Sequence, residues 1–170
     1  SRSFLDVGTR VSVEELINGI AVQSGNDAAV VIAEGISGSE ELFADEMNSF
    51  ALQLGMKDTN FTNSTGWPDD MLTTTARDLT ILTAALIRDF PIKEYPYLYP
   101  VFAKPDYTYN NIKQPNRNPL INKSPGADGL KTGSTRESGY GLVGSAERNG
   151  QRIILVLNGL ESKKQRSLEA

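Results

Sequence analysis

Two tripeptides carry side chains suited to acyl transfer: Ser24-Gly25-Asn26 and Lys131-Thr132-Gly133. A serine acyl-enzyme needs a nucleophilic hydroxyl, a nearby base, a proton path to the leaving amine and donors aimed at the developing oxyanion. The chain has no histidine and no cysteine, so any nucleophile in it is an oxygen or an amine. Thiolate chemistry, disulfides and the usual nitrogen or sulfur zinc ligands are thereby excluded, and no metal or cofactor is expected. A lysine serves as base when burial and a second cation disfavour its charged form. Ser24 and Asn26 are also residue types that cap helices, and Lys131-Thr132-Gly133 also reads as a strand end before a turn. Catalysis requires the fold to bring the two tripeptides to one groove.

The elements that must position them are legible in part. At 170 residues and 39% hydrophobic the chain has the size of one ordinary domain. A net charge of -4 with dispersed Lys and Arg gives no basic tract for nucleic acid. Ser12-Val13-Glu14-Glu15 has capping-box spacing and predicts a helix carrying Leu16, Ile17, Ile20 and Ala21, stopping near Gln23. A second helix through Ala28 to Ala33 is apolar almost all round, which predicts burial. A third opens at Ser39, places Phe43, Met47, Phe50, Ala51 and Leu54 on one face, and ends at Gly55. Residues 56 to 74 read as an extended loop holding Trp67. Thr75 and Asp78 start a fourth helix that turns Leu79, Leu82, Ala85 and Leu86 inward and ends before Pro91.

Strands come later. Tyr107 to Ile112 predicts a short strand, followed by loop to Pro125. Gly139 to Ala146 and Arg152 to Leu157 flank Asn149-Gly150, the dipeptide best suited to a type I′ hairpin. The unbroken apolar run Ile153 to Leu157 predicts burial on both faces, hence a strand inside a sheet, although a hairpin supplies only one neighbour. The class is α+β: a helical block, residues 1–100, then a mainly β part with the start of a helix, residues 101–170.

Longer segments around the two tripeptides resemble the serine-type D-Ala-D-Ala carboxypeptidases, the low-molecular-weight penicillin-binding proteins. These are Val22-Gln23-Ser24-Gly25-Asn26-Asp27-Ala28, Thr75-Ala76-Arg77-Asp78, Asn116-Arg117-Asn118 and Asp128-Gly129-Leu130-Lys131-Thr132-Gly133, in that family's order. The resemblance implies a β-lactamase/transpeptidase-like fold, with 1–170 as part of a single penicillin-recognising catalytic domain, incomplete at its N-terminus. It implies that Ser24 relays a proton and that Asn26 holds the substrate carbonyl and the active-site lysine. Lys131 and Thr132, with Arg117, would receive the terminal carboxylate. Gly25 belongs to the same substrate-binding segment, Gly133 keeps the strand open to substrate, and the Ser134 amide is one oxyanion donor.

The family's nucleophile motif, Ser-x-x-Lys, occurs nowhere in the chain. The expectation is a companion N-terminal segment that carries it, and an inactive chain without that segment. The family's first strands come from the same region, so without them the Arg152 to Leu157 strand is expected to expose an apolar edge. By resemblance the ligands are a peptidoglycan stem peptide or a β-lactam and the location is periplasmic. Membrane contact would come only through a C-terminal anchor. Two alternatives stand beside this. A class A β-lactamase would need a loop glutamate as base, and there is none between Met56 and Ile92; a non-catalytic peptidoglycan-binding module would keep the cleft and lack the nucleophile.

Overall fold

The computed structural model describes residues 1–91 and 93–170. Its helices are α1 (Val13–Asn18), α2 (Asn26–Ser37), α3 (Glu40–Leu54), α4 (Ala76–Asp89) and α5 (Lys163–Glu169). The strands are β1 (Asp106–Tyr109), β2 (Ile112–Pro115), β3 (Ala127–Thr135), β4 (Gly139–Arg148) and β5 (Gln151–Leu160). Two short turns matter to the site: a π-turn, Gly19–Gln23, and a 3-10 turn, Tyr99–Ala103.

The helix starts are set by side chains satisfying free backbone amides. Ser12 and Glu15 form the reciprocal capping box: the Glu15 amide donates to Ser12 Oγ at 3.2 Å, and the Ser12 amide donates to Glu15 Oε2 at 2.9 Å. Ser39 and Thr75 accept from Leu42 and Asp78 amides in the same way. Asp78 does not close a second box. Its buried carboxylate accepts from the Asp58 amide at 2.9 Å and the Thr59 hydroxyl at 2.7 Å, pinning the long loop to α4. Asn48 anchors the same loop through two 2.7 Å bonds to the Phe61 backbone.

Three expectations about burial need correction. Helix α2 is buried along one side only: Ala28 and Ala33 are fully inside, whereas Val31 and Ile36 are exposed. It packs against α1 and α3, and Val30 and Val31 line a cavity beside residues 4–11. On α3, Phe50 points outward and Ala44 and Ala51 form the inner stripe; the helical period that seats those two excludes position 50. The run Ile153–Leu157 is not buried on both faces as its composition implies, but forms the exposed apolar edge expected of a strand with one neighbour. The sheet order is β3-β4-β5, so β5 is an edge strand, with Ile153 70% exposed. Helix α4 covers one face of β5, and that packing explains much of the apolar run.

The β readings also shift. Residues 107–112 are not one strand but most of β1, a two-residue turn and the first residue of β2, which pair antiparallel from Asp106 opposite Pro115 to Tyr109 opposite Ile112. Asn110 and Asn111 both have positive φ, 47° and 61°, which two asparagines tolerate better than most side chains. Asn149 and Gly150 behave as expected, with φ of 50° and 75° between Arg148 and Gln151. A small core of Ala21, Val22 and Val101, flanked by Ile17, Phe102 and Tyr107, joins the π-turn to the 3-10 turn.

Candidate active site

The π-turn is what presents Ser24. One extra residue per turn widens the helix from Gly19 to Gln23 and ends it with Ser24 in the left-handed conformation, φ 59° and ψ 39°. A serine held there is under strain of the kind that fixes functional side chains. Neither Ser24 nor Asn26 caps α2, since Gly25 occupies the N-cap position; the capping alternative is therefore not the one the fold adopts. The loop is tied by the π-turn behind it and by the first residues of the chain instead. The Gly25 amide donates to Gly19 O at 2.9 Å and the Asn26 amide to Ser1 O at 3.1 Å. Asp27 gathers the Ser3, Leu5 and Ala28 amides at 2.7, 3.3 and 3.0 Å. Burial raises the proton affinity of the Asp27 carboxyl, but those amides with that of Phe4 outweigh it, leaving the group below the usual carboxylate range.

Lys131 reaches this loop from β3, where it sits opposite Val143 of β4. Its Nζ donates to Ser24 Oγ, a contact between residues 107 positions apart, and to Thr132 O at 3.2 Å. Burial, then the like charges of Arg117 and Arg166, lower the amine to about 8. Thr132 is half-buried next to it, while Gly133 and Ser134 are exposed on the outer stretch of β3. A Cβ on Gly133 would meet nothing within 4 Å, so open space lies beside the strand at that point. Arg117 donates to Ser1 Oγ, which places its guanidinium over the start of the chain.

Asn26 lies two residues beyond Ser24, at the start of α2. It lines the cavity formed with Ser1, Phe4, Val30 and Trp67, and among the described residues it makes no hydrogen bond to Lys131.

Two features escaped the sequence reading. Arg166 of α5 is only 7% exposed, and its guanidinium stacks 5.9 Å from the Tyr140 ring. Its Nη1 reaches Gly141 O at 3.3 Å and Gly133 O at 3.5 Å. The N-cap Ser162, accepting from the Gln165 amide, is the signal that starts this helix. The second feature is a polar cluster under β3. Arg152 Nη1 donates to Asp128 Oδ2 at 2.8 Å and Ser145 Oγ at 2.6 Å, and its Nη2 donates to Glu147 at 2.6 Å. Tyr99 donates to Asp128 at 3.3 Å, and burial pushes its phenol up to about 12. This cluster secures the end of β3 that leads into Lys131.

The arrangement has a chemical capability. A hydroxyl and an amine of depressed basicity share one hydrogen bond, two further cations lie close by, and an open strand runs past them. Such a set can shuttle a proton and hold an anionic group.

Comparison with known proteins agrees with this geometry. Residues 1–161 match the family model described as D-alanyl-D-alanine carboxypeptidase, peptidase S11. The chain is 43% identical to D-alanyl-D-alanine carboxypeptidase DacA of Haemophilus influenzae, covering all of this chain and 42% of that protein. It is 38% identical to DacF of Bacillus subtilis, covering 99% and 43%. Among solved structures, penicillin binding protein 5 from Haemophilus influenzae superimposes with a TM-score of 0.93 at 44% identity, over 99% of this chain and 48% of that one. The chain thus spans less than half the length of the curated relatives it matches first. Its fold is that of the penicillin-binding transpeptidase-like proteins. With its matched residues running nearly end to end and its Ser24 and Lys131 in contact, the chain belongs to the D-alanyl-D-alanine carboxypeptidase family, peptidase S11.

Proposed function

We propose that the protein containing this chain removes the terminal D-alanine from peptidoglycan stem peptides through a serine acyl-enzyme that β-lactams also form. The observation that carries this is the Lys131–Ser24 hydrogen bond, made by an amine whose basicity is depressed to about 8. In this reading the nucleophile belongs to a companion Ser-x-x-Lys segment outside these 170 residues, and 1–170 forms part of one catalytic domain. The nucleophile's oxygen attacks the penultimate D-alanyl carbonyl as its proton passes to the lysine of its own motif, the bond to the leaving D-alanine amine breaks, and water then hydrolyses the acyl-enzyme. Ser24, bonded to Lys131, passes a proton to that amine. The Ser134 amide is one donor to the oxyanion and Gly133 leaves room for substrate backbone, whereas Ser3 fills the space beside Gly25, whose place is in the loop that presents Ser24. Asn26 holds the substrate carbonyl and the active-site lysine. Lys131, Thr132 and Arg117 hold the substrate's carboxylate, and buried Arg166 adds a fourth group to that site. Action outside the cytoplasm follows from the substrate, with any membrane attachment through a C-terminal anchor; no described helix is long and apolar enough to cross a membrane.

Incubating the full-length protein with a fluorescent penicillin, and separately with a D-Ala-D-Ala peptide, tests the proposal. Covalent labelling with release of D-alanine is expected. A label attached within residues 1–170 would displace the nucleophile assignment, and neither labelling nor release would leave a binding module.

A further inference from the structure

Arg117 and Lys131 present a physical problem that their own charges cannot solve. Two cations held close repel, and among the described residues Arg117 has no carboxylate partner to offset the repulsion. Among the described residues its guanidinium hydrogen-bonds only to the Ser1 hydroxyl. Repulsion therefore opposes their approach. Something else must hold residue 117 in place.

We propose that Asn116 and Asn118 are positioning residues, a two-sided clamp that fixes Arg117 beside Lys131. On one side, Asn116 Nδ2 donates to Phe102 O at 3.0 Å and Lys104 O at 2.9 Å, while its own amide donates to Pro105 O at 2.8 Å. On the other, Asn118 is 2% exposed, donates from Nδ2 to Gly129 O at 2.7 Å, and accepts the Leu120 amide at 3.0 Å. The two halves are joined, because the Asn118 amide donates to Asn116 Oδ1 at 2.9 Å. Arg117 is the residue between them. Gly129 lies two positions before Lys131 on β3, so the clamp ties the backbone of the arginine to the strand that carries the lysine.

The chemistry requires asparagine at both positions. Only a carboxamide offers donors and an acceptor at one planar end. Aspartate would set a carboxylate against the Gly129 carbonyl and lose the donor, while leucine would leave the Gly129 carbonyl and the Leu120 amide unpaired in the interior. Asn-Arg-Asn is thus a charge held on two anchors, and the anchors supply the energy that brings like charges together. The role assigned here rests on the reading of Arg117 as a substrate-carboxylate partner; the clamp geometry does not.

The test follows Lys131 itself in the full-length protein, by NMR titration of lysine Cε with the Lys131 signal assigned through Lys131→Arg. Charged groups facing the amine are Arg117 and Arg166, and its hydrogen-bond partners are Ser24 and Thr132. Asn118→Ala should free the arginine and raise the Lys131 midpoint by roughly half a pH unit, about threefold in proton affinity. In an Arg117→Ala background the same substitution should shift nothing further. A midpoint unmoved by Asn118→Ala, or moved equally in both backgrounds, overturns the proposal. Should Asn118→Ala fail to fold, Asn116→Ala, at a less buried site, carries the same pair of expectations. The readout uses no substrate, so its failure and a failure of the carboxypeptidase reading are separate results.

Discussion

Ser3 places its hydroxyl where a side chain on residue 25 would begin: a Cβ built on Gly25 lies 1.9 Å from Ser3 Oγ and 3.0 Å from Ser3 Cβ. Gly25 has φ -70° and ψ 111°, a conformation open to any residue, so space and not backbone freedom requires glycine there. Gly25→Ala should therefore destabilise the protein by about 1–3 kcal/mol, the usual range for overpacking. Ser3→Gly in the same chain should recover most of that loss. Urea denaturation of the two single variants and the double variant checks the coupling; purely additive effects would refute it.

Lys131 should impose a pH dependence on stability. Its folded-state midpoint of about 8 lies below the ordinary 10.5, so between those values the unfolded chain binds the extra proton. Stability from this group therefore rises with pH from about 8 to 10.5, and the cost of burying the ammonium is fully present below 8. Lys131→Met removes that dependence. The unfolding free energy of the variant relative to the parent should be highest near pH 7 and fall steadily toward pH 10. Denaturation at four or five pH values measures the slope, and a flat difference would contradict it.

Asp78→Ala should release the long loop from α4. Removing the carboxylate leaves the Asp58 amide and Thr59 hydroxyl without their acceptor, at a cost of about 2–3 kcal/mol. Asp78→Asn keeps one acceptor and should fall between. Hydrogen exchange at the Asp58 amide should accelerate in step with the lost stability.

Within the proposed reaction, Lys131→Ala in the full-length protein should slow acylation by penicillin roughly 10²–10⁴-fold, the range for a lost proton-transfer group. Circular dichroism should remain unchanged. Ser24→Ala should slow it in the same direction, because the relay needs both ends of the Lys131–Ser24 bond.

How far the sequence revealed this molecule depends on the range of the interaction. Caps at Ser12, Ser39 and Thr75 and the Asn149-Gly150 hairpin act within a few residues, and all were legible. The Asn110-Asn111 turn was missed because its flanking strands are four residues each and poorly alternating. Phe50 was placed on the wrong side of α3 because small Ala44 and Ala51 mark the buried stripe more faithfully than the larger side chain does. For the site, the meeting of Ser24 with Lys131 was anticipated from motif placement. Arg166 was not, because its value comes from Tyr140 and Gly133 on other elements, and no local pattern encodes them. That Asn26 also lines a cavity was equally out of reach, since the cavity depends on how the first eleven residues lie against α2.

The sheet order β3-β4-β5 has a last consequence. The lysine rim and the Ile153 rim lie on opposite sides of β4, two strand spacings or roughly 10 Å apart. An extended segment pairing along the first edge therefore leaves the second edge free to take another strand at the same time.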